Sequence, residues 1–318
     1  SCGPGDPPRR RGTYRRHPII PHTGDVFHEK CLAGAHVING FGKSIGLVQV
    51  QELGTLETPI LLTNTLSVGT VSTALVEYML ERNDDIGLDA GTVNSLVMEC
   101  NDARLSDIRG LHVTKEHARA ALAAASETFA EGDVGAGAGM VCYSLKGGIG
   151  SASRLCHLYG ETYTVGALVM TNFGTLRDLR VAGDPVGERL YWQEQSELKD
   201  KGSIIIVLAT DVPLSSRQLE RVAKRAQSGI ARTGGISGNG SGEIALAFTT
   251  GNKLAHYSSD RLESIRLVYE EDIDEVFRAA IESVDEAIIS SMLHASAVTG
   301  RAGNHYKSLA DLYKPGEK

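Results

Sequence analysis

Residues 233–250 read TGGISGNGSGEIALAFTT, and this stretch decides how the chain is interpreted. A helical pattern of apolar residues precedes it, a glycine-rich loop follows, and an alternating strand pattern begins directly after Ser241. A plain loop is the simplest interpretation of such a composition. The segment GNGSG also matches the hydrolase motif GxSxG, but there the serine lies between a strand and the helix after it. Because the order here is helix, loop, strand, this hydrolase motif is excluded.

The same order fits an N-terminal nucleophile, a residue that begins a strand and is freed when the backbone before it is cut. The hydroxyl of Ser241 attacks the preceding carbonyl, and Gly240 has no Cβ to crowd that attack. The freed α-amine, with an ordinary pKa of about 7.7–8, can act as general base for the hydroxyl. This mechanism requires no histidine, metal or cofactor. None of the ten histidines lies in a triad context or at a metal-ligand spacing such as HxxxH.

Composition excludes several other classes of function. The net charge of −7 gives no basic face for nucleic acid, and no apolar run is long enough to cross a membrane. Five widely spaced cysteines without a CxxC predict reduced, buried thiols in a cytoplasmic protein. Residues 1–17, rich in Pro, Gly and Arg, predict a disordered arm.

The remaining 18–318 predict a single layered α/β domain, because strands and helices mix without a βαβ rhythm or a repeat. Strands are predicted at 46–50, 59–63, 164–170, 203–209 and 243–250. Helices are predicted at 70–81, 114–129, 216–231 and 271–298.

A second glycine-rich segment, EGDVGAGAGMVCYSLKGGIGSASR at 131–154, suggests backbone packed closely against a small substrate. It lacks the GxxxxGK[ST] order of a phosphate loop, since Lys146 precedes its glycines. Glu131 and Tyr143 are its candidate polar groups. In LVMTNFG, the amide of Asn172 is a candidate oxyanion donor, although the motif alone is also typical of a turn.

Taken together, the motifs resemble the DmpA-type L-aminopeptidase/D-esterase family, which includes the β-aminopeptidases. The resemblance covers about residues 18–303. The matching stretches are GAHVINGFGKSIGL from Gly34, ELGTLETPILLTNTLSVGTV from Glu52, EGDVGAGAGM from Glu131, KGGIGSASR from Lys146, IIIVLATDVPL from Ile204, GNGSGEIALAFTT from Gly238 and DEAIISSMLHASAVTGR from Asp285.

This resemblance implies a four-layer α-β-β-α sandwich, shared with the ornithine acetyltransferases. It implies self-cleavage into 1–240 and 241–318, which stay together and assemble as homo-oligomers, namely tetramers of cleaved heterodimers. The implied reaction releases an N-terminal residue from short peptides, amides or esters.

The resemblance also assigns roles to individual residues. Ser241 is the nucleophile, Asn172 the oxyanion donor, and Glu131 the carboxylate that holds the substrate ammonium. Tyr143 places a hydroxyl near the reacting carbonyl.

The resemblance further implies that a serine and an acid near the start of the C-terminal helix support the nucleophile. Ser283 and Glu286 share a helix face at that place, with Asp285 as the rival acid.

Two other functions stay open at this point. The related acetyltransferases use the same scaffold, usually with a threonine nucleophile, and a non-catalytic binding protein would keep the pocket but never process. The loop at 251–272 is short relative to longer relatives, which leaves substrate preference open.

Overall fold

The computed structural model describes residues 18–194, 202–258 and 260–313, and the expected N-terminal arm at 1–17 lies outside them. The strands are β1 (Pro18–Ile19), β2 (Glu29–Gly40), β3 (Thr55–Leu56), β4 (Ile60–Asn64), β5 (Leu96–Cys100), β6 (Val141–Cys142), β7 (Leu145–Lys146), β8 (Ile149–Leu158), β9 (Glu161–Asn172), β10 (Ser203–Thr210), β11 (Gly242–Ala255), β12 (Val298–Thr299) and β13 (His305–Tyr306). The helices are α1 (Leu47–Leu53), α2 (Val68–Leu80), α3 (Lys115–Ala123), α4 (Val186–Glu194), α5 (Ser216–Arg232), α6 (Asp274–Leu293) and α7 (Leu309–Leu312).

The larger sheet has six strands in the order β3-β2-β11-β10-β9-β8. Its neighbours are antiparallel except β10 and β11, which run parallel. Gly242 pairs with Ser203, and Ser203 pairs with Asn172, so the starts of β10 and β11 and the end of β9 meet at one end of the sheet. This register brings the residue after the proposed nucleophile and the predicted oxyanion asparagine to the same end.

Four layers of secondary structure are held together by three hydrophobic clusters, one between each pair of neighbouring layers. Helices α5 and α6 pack on one face of the larger sheet, and the other face packs on a smaller sheet with the order β1-β4-β5. Helices α2 and α3 cover the outer face of that smaller sheet. The predicted α-β-β-α sandwich is therefore confirmed. The run from Ile204 to Leu208 is buried throughout, as expected of a strand covered on both faces.

Local chemistry explains how α5 lies against the sheet. Its N-terminus has a capping box. The Ser215 hydroxyl accepts a hydrogen bond from the Gln218 backbone N–H, and the Gln218 side-chain oxygen accepts one from the Ser215 backbone N–H. The helix crosses β2 at Gly34, where an added methyl group would lie 2.4 Å from the backbone nitrogen of Glu220. Only glycine allows this close approach, which fixes the helix over the strand that borders β11.

One predicted strand is wrong. Residues 46–50 begin the helix α1, because Gly46 and Gly54 adopt left-handed φ values of 88° and 67° at its two ends. Leu47 and Val50 are buried on one face of this helix. In the sequence they belong to a short apolar run, and such a run does not distinguish a buried helix from a buried strand.

The predicted helices exist but have different ends. Helix α3 ends at Ala123 rather than near 129, and α6 spans Asp274–Leu293. Across the part of the chain with described structure, no helix combines the length and apolar character needed to cross a membrane. The four described cysteines are buried and form no disulfide with one another, as predicted.

Candidate active site

Ser241 lies at the mouth of β11 and is fully buried. Its hydroxyl donates a hydrogen bond to Oε1 of Glu243 at 2.9 Å, and its backbone N–H donates to the carbonyl of Gly238 at 2.9 Å. The second bond closes a tight turn over Gly238, Asn239 and Gly240, ahead of the strand. The candidate nucleophile is therefore held in a fixed place with a carboxylate as its acceptor.

Asn39 holds this turn from the neighbouring strand β2. Its side-chain amide donates to the carbonyl oxygens of Gly238 at 3.1 Å and Asn239 at 3.3 Å, and also to that of Ser241. Asn39 pairs with Glu243 across the β2–β11 ladder, which explains why its side chain reaches the turn. Sequence reasoning missed this residue, although it lies in the quoted stretch GAHVINGFGKSIGL.

Asn172 lies at the end of β9, with β10 between it and β11. At a strand spacing of about 4.8 Å, its Cα is roughly 10 Å from that of Gly242. The amide oxygen accepts the Val141 N–H at 2.9 Å, and the amide nitrogen donates to the Asn101 carbonyl at 2.9 Å. These contacts fix which side of the amide donates, as an oxyanion donor requires.

Tyr143 is fully buried in the turn between β6 and β7, with a positive φ of 49°. The hydroxyl of Thr233 already donates to the Ile230 carbonyl, so the Tyr143 hydroxyl donates to Thr233 Oγ1, at 2.8 Å. Its ring packs against Phe173 at 5.1 Å between centroids. The phenol therefore supports the segment after Asn172, and its proton is engaged with Thr233 rather than with Ser241.

Glu131 is not brought to Ser241. It lies beside the edge strand β8, where its carboxylate accepts from the hydroxyls of Ser151 and Ser290 and contacts Nδ1 of His294 at 3.2 Å. Three strand spacings place β8 roughly 14 Å from β11. The expectation that Glu131 holds the ammonium of a substrate at Ser241 is therefore not met within this chain.

Ser283 and Glu286 are likewise far from the nucleophile. Ser283 donates to the carbonyl of Val165 at 3.1 Å, and Val165 lies roughly 23 Å along β9 from Asn172 at about 3.3 Å per residue. Glu286 is exposed and forms an ion pair with Arg154 at 2.6 Å. Arg154 is the residue of β8 that pairs with Val165, so this contact lies at the same level of the sheet as that of Ser283. Both residues lie at the opposite end of the sheet from Ser241, so the expectation that this pair supports the nucleophile is wrong.

The rival acid, Asp285, contacts Arg232 at the end of α5 at 3.9 Å. Burial raises the pKa of its carboxyl group. This contact joins α6 to α5 within the helix layer, and no hydrogen bond or ion pair among the described residues joins Asp285 to Ser241.

Glu99 is a buried carboxylate that sequence reasoning missed. It lies on β5, where its Oε1 accepts the Lys43 N–H at 2.7 Å and its Oε2 accepts the hydroxyl of Thr65. A methyl group added to Gly42 would lie 3.7 Å from Glu99 Oε1 and 3.9 Å from the Cα of Gly242. The carboxylate and the backbone after Ser241 therefore border the same small space. An acid within the apolar run LVMEC is the signal that points to this site.

Lys146 lies beneath the glycine-rich segment and is completely buried. Its ammonium donates to the carbonyls of Gly137 and Met140 at 3.0 Å and of Gly147 at 2.5 Å. In the protonated form these three bonds use all of its donors, and they tie together the backbone on either side of Val141, which orients Asn172. Burial lowers the pKa of Lys146 to about 7.

We expect the stability contribution of Lys146 to depend on pH. The unfolded chain keeps this proton up to about pH 10.4, so between pH 7 and 10 the unfolded state binds more protons and stability rises with pH. The contribution is full above the unfolded pKa and is lost as pH falls toward 7. The free energies of urea unfolding of Ser241→Ala and Ser241→Ala/Lys146→Met should diverge in favour of the lysine over this range. Parallel pH profiles of the two proteins would contradict it.

Comparisons with known proteins show which family this chain belongs to. The model of peptidase family S58 matches residues 17–306. This chain belongs to peptidase family S58. Among S58-like relatives, it is 39% identical over 300 residues to the β-peptidyl aminopeptidase BapA of Sphingosinicella microcystinivorans, covering 90% of this chain and 74% of that protein.

Two solved structures extend the S58 comparison. The PH0078 protein from Pyrococcus horikoshii is 52% identical with a TM-score of 0.88, covering 92% of this chain and 81% of that one. The L-aminopeptidase D-Ala-esterase/amidase of Ochrobactrum anthropi, described as a prototype serine aminopeptidase with a variant Ntn-hydrolase fold, is 35% identical with a TM-score of 0.84, covering 95% and 85%. This S58 chain is a serine-type aminopeptidase.

Proposed function

We propose that this chain is a self-processing aminopeptidase that cuts its own Gly240–Ser241 bond and then uses the Ser241 hydroxyl as nucleophile. The observation that carries the proposal is the buried Ser241 at the start of β11, preceded by a turn whose carbonyls are held by Asn39. A serine that is fixed directly after a turn has its hydroxyl beside the carbonyl that precedes it. Proximity of this kind supplies much of the acceleration in intramolecular reactions.

In the cleaved protein the α-amine of Ser241 takes the hydroxyl proton as oxygen attacks the substrate carbonyl, and returns it to the leaving amine. Asn172 donates to the developing oxyanion from the other side of β10, with its amide orientation fixed by Val141. An acyl-enzyme forms on the Ser241 oxygen, and water then releases the amino acid. These steps require no cofactor.

We assign recognition of the substrate ammonium to Glu99 rather than Glu131. Glu99 borders the space beside Gly242, whereas Glu131 lies along the far edge of the sheet. A buried carboxylate strongly favours a cationic partner, because an unpaired charge there is costly. This requirement selects substrates with a free amino terminus, namely short peptides, amides or esters. Assembly of cleaved units into oligomers stays a prediction.

The test is a mass measurement joined to an activity assay. Protein purified with protease inhibitors should consist of two polypeptides, 1–240 and 241–318, the smaller beginning with Ser241. It should hydrolyse aminoacyl p-nitroanilides, and the panel should include L-alanyl, D-alanyl and β-alanyl forms. N-acetylated versions of the same compounds should not react. An unbroken chain that turns over these substrates at full rate contradicts the proposal.

A further inference from the structure

The uncleaved chain lacks the base that the cleaved enzyme uses. Before the Gly240–Ser241 bond breaks, the nitrogen of Ser241 belongs to a peptide group, and its N–H donates to the Gly238 carbonyl at 2.9 Å. A peptide nitrogen has its lone pair in resonance and does not accept a proton at neutral pH. Another group must therefore take the proton of the Ser241 hydroxyl during the first reaction.

Glu243 is placed to do this. The Ser241 hydroxyl donates to its Oε1 at 2.9 Å, within the range of a direct proton transfer. Ser241 directly precedes β11 and Glu243 is the second residue of that strand, so the contact joins neighbours in the sequence and does not depend on a distant loop. Both side chains are fully buried, which limits competition from bulk water.

The strand that carries Glu243 is rigidly held on both sides. Glu243 pairs with Asn39 of β2 and with Ile204 of β10. The Asn39 amide holds the carbonyls of Gly238 and Ser241, on either side of the scissile bond. The hydroxyl, its acceptor and the peptide to be cut are thus fixed by the same pair of strands.

We propose that Glu243 is the general base of self-cleavage, and that the α-amine of Ser241 replaces it as base once cleavage has occurred. This inference rests on the proposed function. Glu243 takes the hydroxyl proton as the Ser241 oxygen bonds to the carbonyl carbon of Gly240. The carbon–nitrogen bond then breaks, and Glu243 returns the proton to the nitrogen, which becomes a free amine.

One water molecule completes the reaction. It attacks the ester between Gly240 and the Ser241 oxygen, giving a carboxylate on Gly240 and restoring the hydroxyl. Asn239 is exposed and Gly240 is partly exposed, so water has a path to this ester from the loop side. The same serine oxygen therefore serves two reactions with two different bases.

The experiment compares the two reactions in one variant, Glu243→Gln. Appearance of the 78-residue fragment is followed on denaturing gels after cell-free synthesis. General-base catalysis contributes about 10²–10⁴-fold, so self-cleavage should slow by at least about 10²-fold. Material that has matured during long incubation should keep kcat for an aminoacyl p-nitroanilide within about tenfold of wild type. Glu52→Gln, an exposed glutamate on α1, is the matched control and should leave both rates unchanged.

The outcomes separate this inference from the proposed function. If the wild type never releases the fragment, the proposed function fails. If the wild type cleaves and Glu243→Gln cleaves equally fast, this inference alone fails. Equal losses in cleavage and turnover overturn the exchange of bases. Circular dichroism checks folding, and Glu243→Asp, which keeps a shortened carboxylate, should cleave faster than Glu243→Gln if an anionic base is needed.

Discussion

Ser241→Ala is expected to leave one intact 318-residue chain and to lower kcat/KM for aminoacyl p-nitroanilides by on the order of 10⁴-fold or more. The methyl side chain has no oxygen to attack either Gly240 or a substrate, so both reactions are lost together. Denaturing gels and initial rates measure the two losses independently. The fold should remain, because the change removes one hydroxyl and its single bond to Glu243.

Two further serine variants make this test specific. Ser258→Ala removes an exposed hydroxyl that donates to the Asp260 carbonyl, and it should cleave and turn over normally. Ser241→Cys keeps a nucleophile in place and should still cleave, at an altered rate. A 78-residue fragment from Ser241→Ala would show that another group cuts the chain.

Glu99→Gln is expected to lower kcat/KM for substrates with a free amine by about 10–100-fold while leaving self-cleavage intact. A hydrogen bond to a charged group is worth about 1.5–3 kcal/mol, which corresponds to this range. The amide keeps the shape of the side chain, so its contacts with Lys43 and Thr65 largely remain. Steady-state assays on alanyl p-nitroanilide measure the loss, which should be expressed mainly as a raised KM.

The matched variant is Glu131→Gln, which tests the assignment that the sequence suggested. Glu131 lies beside β8 with Ser151 and Ser290, so its change should leave KM within about threefold of wild type. If Glu131→Gln raises KM and Glu99→Gln does not, the ammonium site belongs to Glu131 and an arrangement beyond the single chain is required.

The sequence predicted the features that depend on local pattern. The apolar spacing before Thr233 predicts α5 to within one residue, and the alternation after Ser241 predicts the start of β11, which continues five residues beyond the predicted end at 250. Such patterns reflect the period of a single element and need no knowledge of its neighbours. The four-layer architecture came from the resemblance of several motifs in order, since periodicity alone does not specify how layers stack.

The errors have a common physical cause. A helical spacing shows that Ser283 and Glu286 share a face, but it does not show which row of the sheet that face meets. Glu99 enters the site only because the smaller sheet stacks on the larger one, and Asn39 does so only through its pairing with Glu243. These placements depend on contacts distant in sequence, which a local pattern cannot reveal.

The place of β11 between β2 and β10 also affects the lifetime of the cleaved protein. Both flanking strands belong to the larger piece, so the smaller piece contributes an interior strand to a sheet that the larger piece otherwise forms. The smaller piece therefore cannot dissociate unless the sheet unfolds. After dissociation, refolding requires a bimolecular association of the two polypeptides, whereas an uncleaved chain refolds in a unimolecular reaction. Durability of the mature molecule is therefore governed by its rate of unfolding, and heat inactivation should become less reversible as the protein is diluted.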